Sequence, residues 1–198
     1  MKTHFLLAAL AALVFACPRD LHGGVEAQDA RPAVPDGFSW RRLEDVRIDV
    51  LVPNGWLVTP FEEKGTVAYK ITTDKTYQTG LTINIITDVS NKTEKLSAAL
   101  GKTVNAPLYA VYQIEQYKKN STTVLDEWHR KSFPFLICGC EVLKDIDGVE
   151  SHIRSTAIGN VTTDTLYVWM FGSPASSWED AWAFGEKMLN PILVDREF

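Results

Sequence analysis

The C-terminal part of the chain constrains the fold most strongly, because it places an amphipathic helix directly after a strand. Pro174 ends a strand rich in aromatic residues, and Ser176-Ser177-Trp178-Glu179 has the form of a capping box that begins a helix. A stripe this apolar must pack on another element, and the strands before it make a sheet the expected partner. The stripe consists of Trp178, Ala181, Trp182, Gly185, Met188, Leu189 and Ile192.

Alternation of apolar and polar residues predicts strands on both sides of a helical insertion. Helical spacing of Leu96, Leu100 and Val104, followed by a Pro107 that begins a second helix, predicts this insertion over 93–118. The fold class is therefore α+β, an antiparallel β-sheet sandwiched by helices, with the C-terminal amphipathic helix packed on the sheet. The expected strands are 38–43, 46–52, 66–72, 81–88, 122–132, 135–143, 151–159 and 164–171.

The N-terminus has the features of a secretory signal. Lys2 precedes an apolar run from Phe5 to Ala16, which is too short to cross about 30 Å of hydrocarbon but suits the apolar region of a signal peptide. Cleavage after Ala27 would make 1–27 the signal peptide. Alternatively, residues 1–16 are removed and Cys17 is lipidated, since Val14-Phe15-Ala16-Cys17 resembles a bacterial lipobox.

Residues 28–37 are expected to form a flexible tether, because they include two prolines and no large apolar side chain. A single domain then spans 38–198. We expect the protein to be exported to the periplasm or the cell exterior, with no transmembrane span in the mature chain. Lipidated Cys17 is the alternative that would anchor it to a membrane.

The charge balance argues against nucleic-acid binding. The chain of 198 residues has 20 Lys and Arg against 25 Asp and Glu, a net charge of −5, and so supplies no overall cationic field for a phosphate backbone. The chain has three short basic pairs, which are better interpreted as parts of solvated surfaces: Arg41-Arg42, Lys118-Lys119 and Arg130-Lys131.

The sequence contains no complete catalytic, cofactor or metal-binding signature. An EF-hand loop aligned on Gly148 would place Leu143 and Arg154 where oxygen ligands are required. Cys138 and Cys140 lie on the same side of a strand and are interpreted as buried small side chains, with a redox pair as the alternative. A tight turn at Asp147-Gly148 is expected to bring Cys140 roughly opposite Ile153.

Several segments resemble the PsbP family, the extrinsic proteins of the oxygen-evolving photosystem and their bacterial relatives. They are VPNGW (52–56), the TINIITDV strand, and the run TDTLYVWMFGSPASSWEDAWAFGEKMLNPILVD (163–195). The resemblance covers roughly 38–198 and implies an α/β/α sandwich that acts as an accessory or assembly factor, without catalysis of its own.

Two functions from different classes follow. The first is an exported, non-enzymatic accessory protein that docks on a protein partner in the envelope or a membrane complex. The second is an extracytoplasmic ligand-binding protein or unrecognised enzyme, with a pocket between the sheet and the 93–118 insertion. There, Tyr109, Tyr112 and Tyr117 would supply rings and hydroxyls.

Overall fold

Ten strands and four α-helices make up the part of the chain that the structure, a computed structural model, describes: residues 32–63, 66–76 and 78–194. The predicted signal peptide, Cys17 and residues 28–31 of the predicted tether lie outside the described residues. The strands are β1 (Phe38–Leu43), β2 (Ile48–Pro53), β3 (Leu57–Glu63), β4 (Thr66–Thr72), β5 (Gly80–Ile86), β6 (Thr123–Ser132), β7 (Phe135–Ile146), β8 (Val149–Asn160), β9 (Thr165–Pro174) and β10 (Leu193–Val194). The helices are α1 (Val89–Lys92), α2 (Glu94–Leu100), α3 (Ala106–Lys119) and α4 (Trp178–Leu189).

The strands form two sheets. Seven of them make an antiparallel sheet in the order β3-β4-β5-β9-β8-β7-β6, and three make a small sheet in the order β1-β2-β10. Side chains alternate between the two faces of a strand, so β9 separates the interior into two parts. Tyr167, Trp169 and Phe171 belong to one hydrophobic cluster, whereas Leu166, Val168 and Met170 belong to the other.

We call the first side the α4 face, because α4 and the small sheet cover it. There, Phe171 is completely buried and its ring lies edge-on to Trp182, with centroids 5.9 Å apart. Gly185 makes this close packing possible, since a Cβ atom at that position would lie 2.8 Å from the Phe171 ring. The C-terminal helix therefore packs on the sheet, and the predicted α+β sandwich is confirmed.

We call the opposite side the α3 face. Helix α3 packs on β7, β8 and β9, where Ala106, Ala110 and Ile114 are buried against the sheet. Its first residues lie very close to β8 at Gly159, where a Cβ atom would be only 2.5 Å from the backbone of Ala106 and Pro107. Among the described residues, no helix covers the β3-β4-β5 half of this face in the way that α3 covers β7, β8 and β9.

The sequence missed strand β3. Pro60 lies in its middle, and proline is unfavourable in an interior strand, but β3 is an edge strand that pairs with β4 alone. At an edge, the missing N–H of proline does not break a ladder of hydrogen bonds.

Four local predictions need correction. Strand β2 begins at Ile48 rather than at 46, because Glu44–Val46 form a 3₁₀ turn. Helix α4 ends at Leu189, so Ile192 lies beyond it. The capping box does not form: the Ser177 hydroxyl donates to the Pro174 carbonyl instead of capping α4.

The fourth correction concerns the register of β7 and β8. Asp147 and Gly148 both have positive φ, as in a two-residue type I′ turn, and this turn pairs Ile146 with Val149. Cys140 therefore lies opposite Ser155 and not Ile153.

Candidate functional site

A trough runs along the α3 face between α3 and the uncovered half of the sheet. It consists of two cavities, of about 730 and about 260 Å³, and both are lined by Tyr117 and Met170. All four residues that β5 presents on this face line the trough: Gly80, Thr82, Asn84 and Ile86. At a rise of about 3.3 Å per residue, these positions span about 20 Å.

The two sides of the trough differ in secondary structure but both offer polar groups. The strand side carries Thr66, Thr82 and Asn84, and the helix side carries Tyr109, Gln113 and Tyr117. Between them, the floor is mainly apolar: it carries Ile86, Ile153, Val168 and Met170, with the hydroxyls of Ser151 and Ser155 beside them. An apolar floor with a few convergent polar groups is typical of a binding site.

One carboxylate positions the helices that border the trough. Asp164, in the turn between β8 and β9, accepts a hydrogen bond from the Ser90 N–H of α1 at 2.7 Å and from the Ala106 N–H of α3 at 2.8 Å. Carboxylates are favoured at helix N-termini because they satisfy N–H groups that have no partner within the helix. Asp164 therefore ties both helices to the end of the sheet.

The structure brings two of the three candidate tyrosines to the trough. Tyr109 and Tyr117 line it, whereas Tyr112 lies one turn along α3 and stacks on Tyr109 with ring centroids 6.0 Å apart. Burial raises the pKa of Tyr117 to about 12 and also raises that of Tyr109, against which a hydrogen bond with Gln113 acts. Both hydroxyls therefore keep their protons at neutral pH.

Asn84 is a lining residue that sequence reasoning missed. Its side-chain oxygen is buried and finds no hydrogen-bond partner among the described residues. A buried acceptor without a donor costs about 1–3 kcal/mol, so native proteins rarely keep one without reason. The available signal was an amide inside an otherwise β-branched strand, on the same face as Thr82.

The charged groups in the described lining of the trough are both lysines. Lys92 lies on the wall of the larger cavity and Lys70 on that of the smaller one. The ammonium group of Lys144 lies 5.3 Å from the centre of the Tyr117 ring. The trough is thus locally cationic, although the chain as a whole carries a net charge of −5.

The two cysteines lie below α3, outside the trough. Both are buried and free, and the Cys138 thiol points to the Ala157 carbonyl at 3.7 Å. Burial raises the pKa of Cys138 to about 12 and that of Cys140 to about 11. They pack as small hydrophobic side chains in the second cluster, and the structure shows no disulfide between them.

Three polar residues of the α4 face bond to one another. Glu141 accepts a hydrogen bond from Arg154 and contacts His152 Nε2, both at 2.7 Å. The His152 ring stacks on Trp178 with centroids 3.7 Å apart, and the guanidinium of Arg154 lies 4.1 Å from the centre of the Trp128 ring. This cluster joins α4 to the sheet and leaves its polar groups occupied. Within the ranges that the structure describes, no three His, Cys, Asp or Glu side chains come together as a metal site would require.

Solved structures with a similar fold are found, whereas comparison of the sequence finds no similar protein. The sequence matches no family model and no curated protein. The structure is similar to cyanobacterial PsbP (CyanoP) from Synechocystis sp. PCC 6803, with a TM-score of 0.53 and 14% identity, over 88% of this chain and 99% of that one. The fold is PsbP-like. At this identity, the similarity shows the fold alone.

Two other solved structures align over most of the domain with lower scores. The Ran-binding protein Mog1p of Saccharomyces cerevisiae is 12% identical, with a TM-score of 0.49, over 79% of this chain and 95% of that one. LpqN of Mycobacterium tuberculosis, described as involved in cell envelope biogenesis, is 12% identical, with a TM-score of 0.43, over 78% and 88%. Among the described residues of this chain, no helix is long and apolar enough to cross a membrane.

Proposed function

We propose that this protein is an exported, non-enzymatic accessory protein that docks on a protein partner in the envelope or a membrane complex, with the trough as its binding surface. The observation that carries this proposal is the uncovered half of the α3 face. The α4 face of the same sheet is covered, and its Glu141, His152 and Arg154 bond to one another, whereas the trough presents a mainly apolar floor between two polar sides.

The chemistry of the trough supports binding rather than catalysis. Tyr117, with a pKa of about 12, is protonated at neutral pH and is a poor general base there. The other lining groups are amides, hydroxyls, ammonium groups and apolar side chains. Such groups orient a bound molecule through hydrogen bonds, charge and apolar contacts.

Export is supported by the apolar run from Phe5 to Ala16. Cell fractionation of a Cys17→Ser variant distinguishes the two alternatives, which are cleavage after Ala27 with soluble release and lipidation of Cys17 with membrane anchoring. Equal soluble release of both forms would contradict the anchor, and release of the variant alone would establish it.

In-cell photo-crosslinking tests the docking proposal. A benzophenone amino acid replaces Gln113 on the trough side of α3 or, as a matched control, the exposed Glu186 on α4. We expect one reproducible, near-stoichiometric envelope protein from the first position and none from the second. Equal capture at both positions, or no capture at Gln113, would contradict docking through the trough.

A second candidate function is favoured by the size of the larger cavity. A volume of about 730 Å³ lies within the range of about 300–1,000 Å³ that is typical of small-molecule sites. An extracytoplasmic ligand-binding protein would retain a small molecule on purification, and mass spectrometry of the denatured, freshly isolated protein would detect it. A partner-free monomer that carries such a molecule would favour this function over docking.

A further inference from the structure

We propose that the trough binds a short, extended, acidic segment of the partner, of about six residues. This inference rests on the proposed docking function and specifies the chemistry that the docking site recognises. It depends on four properties of the described residues: two polar sides, an apolar floor, positive charge and length.

The polar sides match the needs of a peptide backbone. An extended segment carries one N–H donor and one C=O acceptor per residue, and each needs a partner when it leaves water. Asn84 offers a buried oxygen that lacks a donor among the described residues, and Gln113, whose amide also bonds to Tyr109, lines the helix side of the same cavity. The Tyr117 hydroxyl makes no hydrogen bond to another described residue and can serve either role.

The floor matches alternating side chains. In an extended segment, every second side chain points to the same side. Val168, Met170 and Ile153 form an apolar strip below the two polar sides, and Met170 is shared by both cavities. Methionine adapts its shape to different apolar partners, so the strip suits side chains of unequal size.

The charge of the trough selects the sign of the segment. Lys92 lies at one end and Lys70 in the cavity toward the other end, with no Asp or Glu in the described lining. Acidic residues outnumber basic ones in the chain, by 25 to 20, so this local excess of positive charge is opposite to the overall balance. Charge complementarity of this kind favours an acidic partner.

The length sets the size of the segment. The four β5 residues that line the trough span about 20 Å, which corresponds to about six residues in extended conformation. A fatty acid would also match the apolar floor and a lysine, but it would leave the amides and hydroxyls on both sides of the trough without partners. The peptide therefore uses more of the groups that the trough offers.

Fluorescence anisotropy with the full exported protein tests this inference. The probes are fluorescein-labelled hexapeptides in which Asp or Glu alternates with Val, Leu or Tyr, and the matched probes carry Lys in place of each acidic residue. We expect the acidic probes to bind saturably, with a Kd below about 1 mM and at least tenfold lower than that of the lysine probes. The Kd of the acidic probes should rise as the salt concentration rises. Dodecanoate is the competitor that represents an anionic amphiphile.

Two exposed lysines on neighbouring helices provide matched variants. Lys92→Glu reverses a charge that lines the trough, whereas Lys95→Glu reverses one on α2 outside the lining. We expect Lys92→Glu to weaken binding of acidic probes about fivefold and Lys95→Glu to change it less than twofold. Both variants should retain the thermal stability of the parent protein.

Three outcomes would overturn the inference: no acidic probe bound at 1 mM, lysine probes bound as tightly, or dodecanoate bound while no peptide is. If crosslinking at Gln113 still captures an envelope protein, the docking function stands and only the acidic segment is wrong. If acidic probes bind but crosslinking captures nothing, the peptide site stands and the docking function is wrong.

Discussion

The two faces of the seven-stranded sheet differ in what remains unsatisfied on them. On the α4 face, Phe171 is fully buried beneath Gly185, and Glu141 is bonded to both His152 and Arg154. On the α3 face, one residue earlier along β9, Met170 lines a trough, and the oxygen of Asn84 lacks a donor among the described residues. The same sheet thus supplies stability on one side and binding groups on the other.

The difference shows that one face of a sheet can stabilise the fold while the other binds a ligand. Groups that stabilise a fold are those whose packing and hydrogen bonds are complete, whereas a binding site keeps groups whose partners arrive with the ligand. Because neighbouring residues of a strand point to opposite faces, substitutions one position apart can test the two roles separately.

The largest expected effect distinguishes Phe171 from Met170. We expect Phe171→Ala to lower the free energy of unfolding by about 3–5 kcal/mol, because it leaves a cavity in a packed core. Met170→Ala should cost less than about 2 kcal/mol, since its side chain already borders open space. Urea denaturation measures both, and equal losses would contradict the assignment of stability to the α4 face.

The second effect concerns the carboxylate that ties α1 and α3 to the sheet. We expect Asp164→Ala to cost about 2–4 kcal/mol, because two helix N–H groups lose a charged acceptor. Asp147→Ala is the matched control: both aspartates have positive φ in β-turns, with values of 52° and 54°. The difference between the two variants in chemical denaturation isolates the hydrogen bonds from the backbone strain.

The third effect appears at alkaline pH. The folded-state pKa of Tyr117 is about 12, against an ordinary value near 10, so the folded protein holds this proton more tightly. The corresponding stability is complete below pH 10 and is lost as the pH rises toward 12. Tyr117→Phe removes this titrating group. Between pH 10 and pH 12 the variant should therefore lose about 2 kcal/mol less free energy of unfolding than the parent protein.

Tyr69 gives the comparison on the α4 face. Burial and its hydrogen bond to Asp45, at 2.7 Å, raise its pKa to about 12 as well. Tyr69→Phe should therefore lower stability at pH 7 in addition to flattening the alkaline loss, whereas Tyr117→Phe should change only the latter. Denaturation curves at pH 7 and between pH 10 and 12 separate the two, and a neutral-pH loss for Tyr117→Phe would show that its hydroxyl is structural.

The smallest effect has the opposite sign. We expect Asn84→Leu to raise the free energy of unfolding by about 1 kcal/mol, because it removes a buried acceptor that lacks a donor. The same variant should lose binding of the acidic probes. Lower stability together with unchanged binding would instead make Asn84 an ordinary structural residue.

Local patterns predicted most of the sheet. Strand β4 begins and ends where its β-branched residues place it, at Thr66 and Thr72. Helical spacing predicts α4 and the insertion, although the helices of the insertion extend from Val89 to Lys119 rather than over 93–118. The failures have local physical causes too. Pro60 concealed an edge strand, and a two-residue turn at Asp147-Gly148 moves the partner of Cys140 from Ile153 to Ser155.

The trough could be predicted only in part. A cleft between the sheet and the insertion, with Tyr109 and Tyr117 beside it, follows from the sequence of elements along the chain. The contributions of Asn84, Lys70 and Lys92 do not, because they depend on which half of the sheet α3 leaves uncovered. That choice is made by the strand order, which brings β5 beside β9 across some eighty residues of chain.

The edges of the large sheet affect how the protein behaves at high concentration. Pro60 interrupts the donors of β3 at one edge, and at the other a bulge between Val124 and Asp126 disturbs β6, whose exposed residues include Glu127 and Lys131. Edges modified in this way are poor templates for the strands of other molecules. Association of these sheets through their edges is therefore disfavoured when the protein is concentrated.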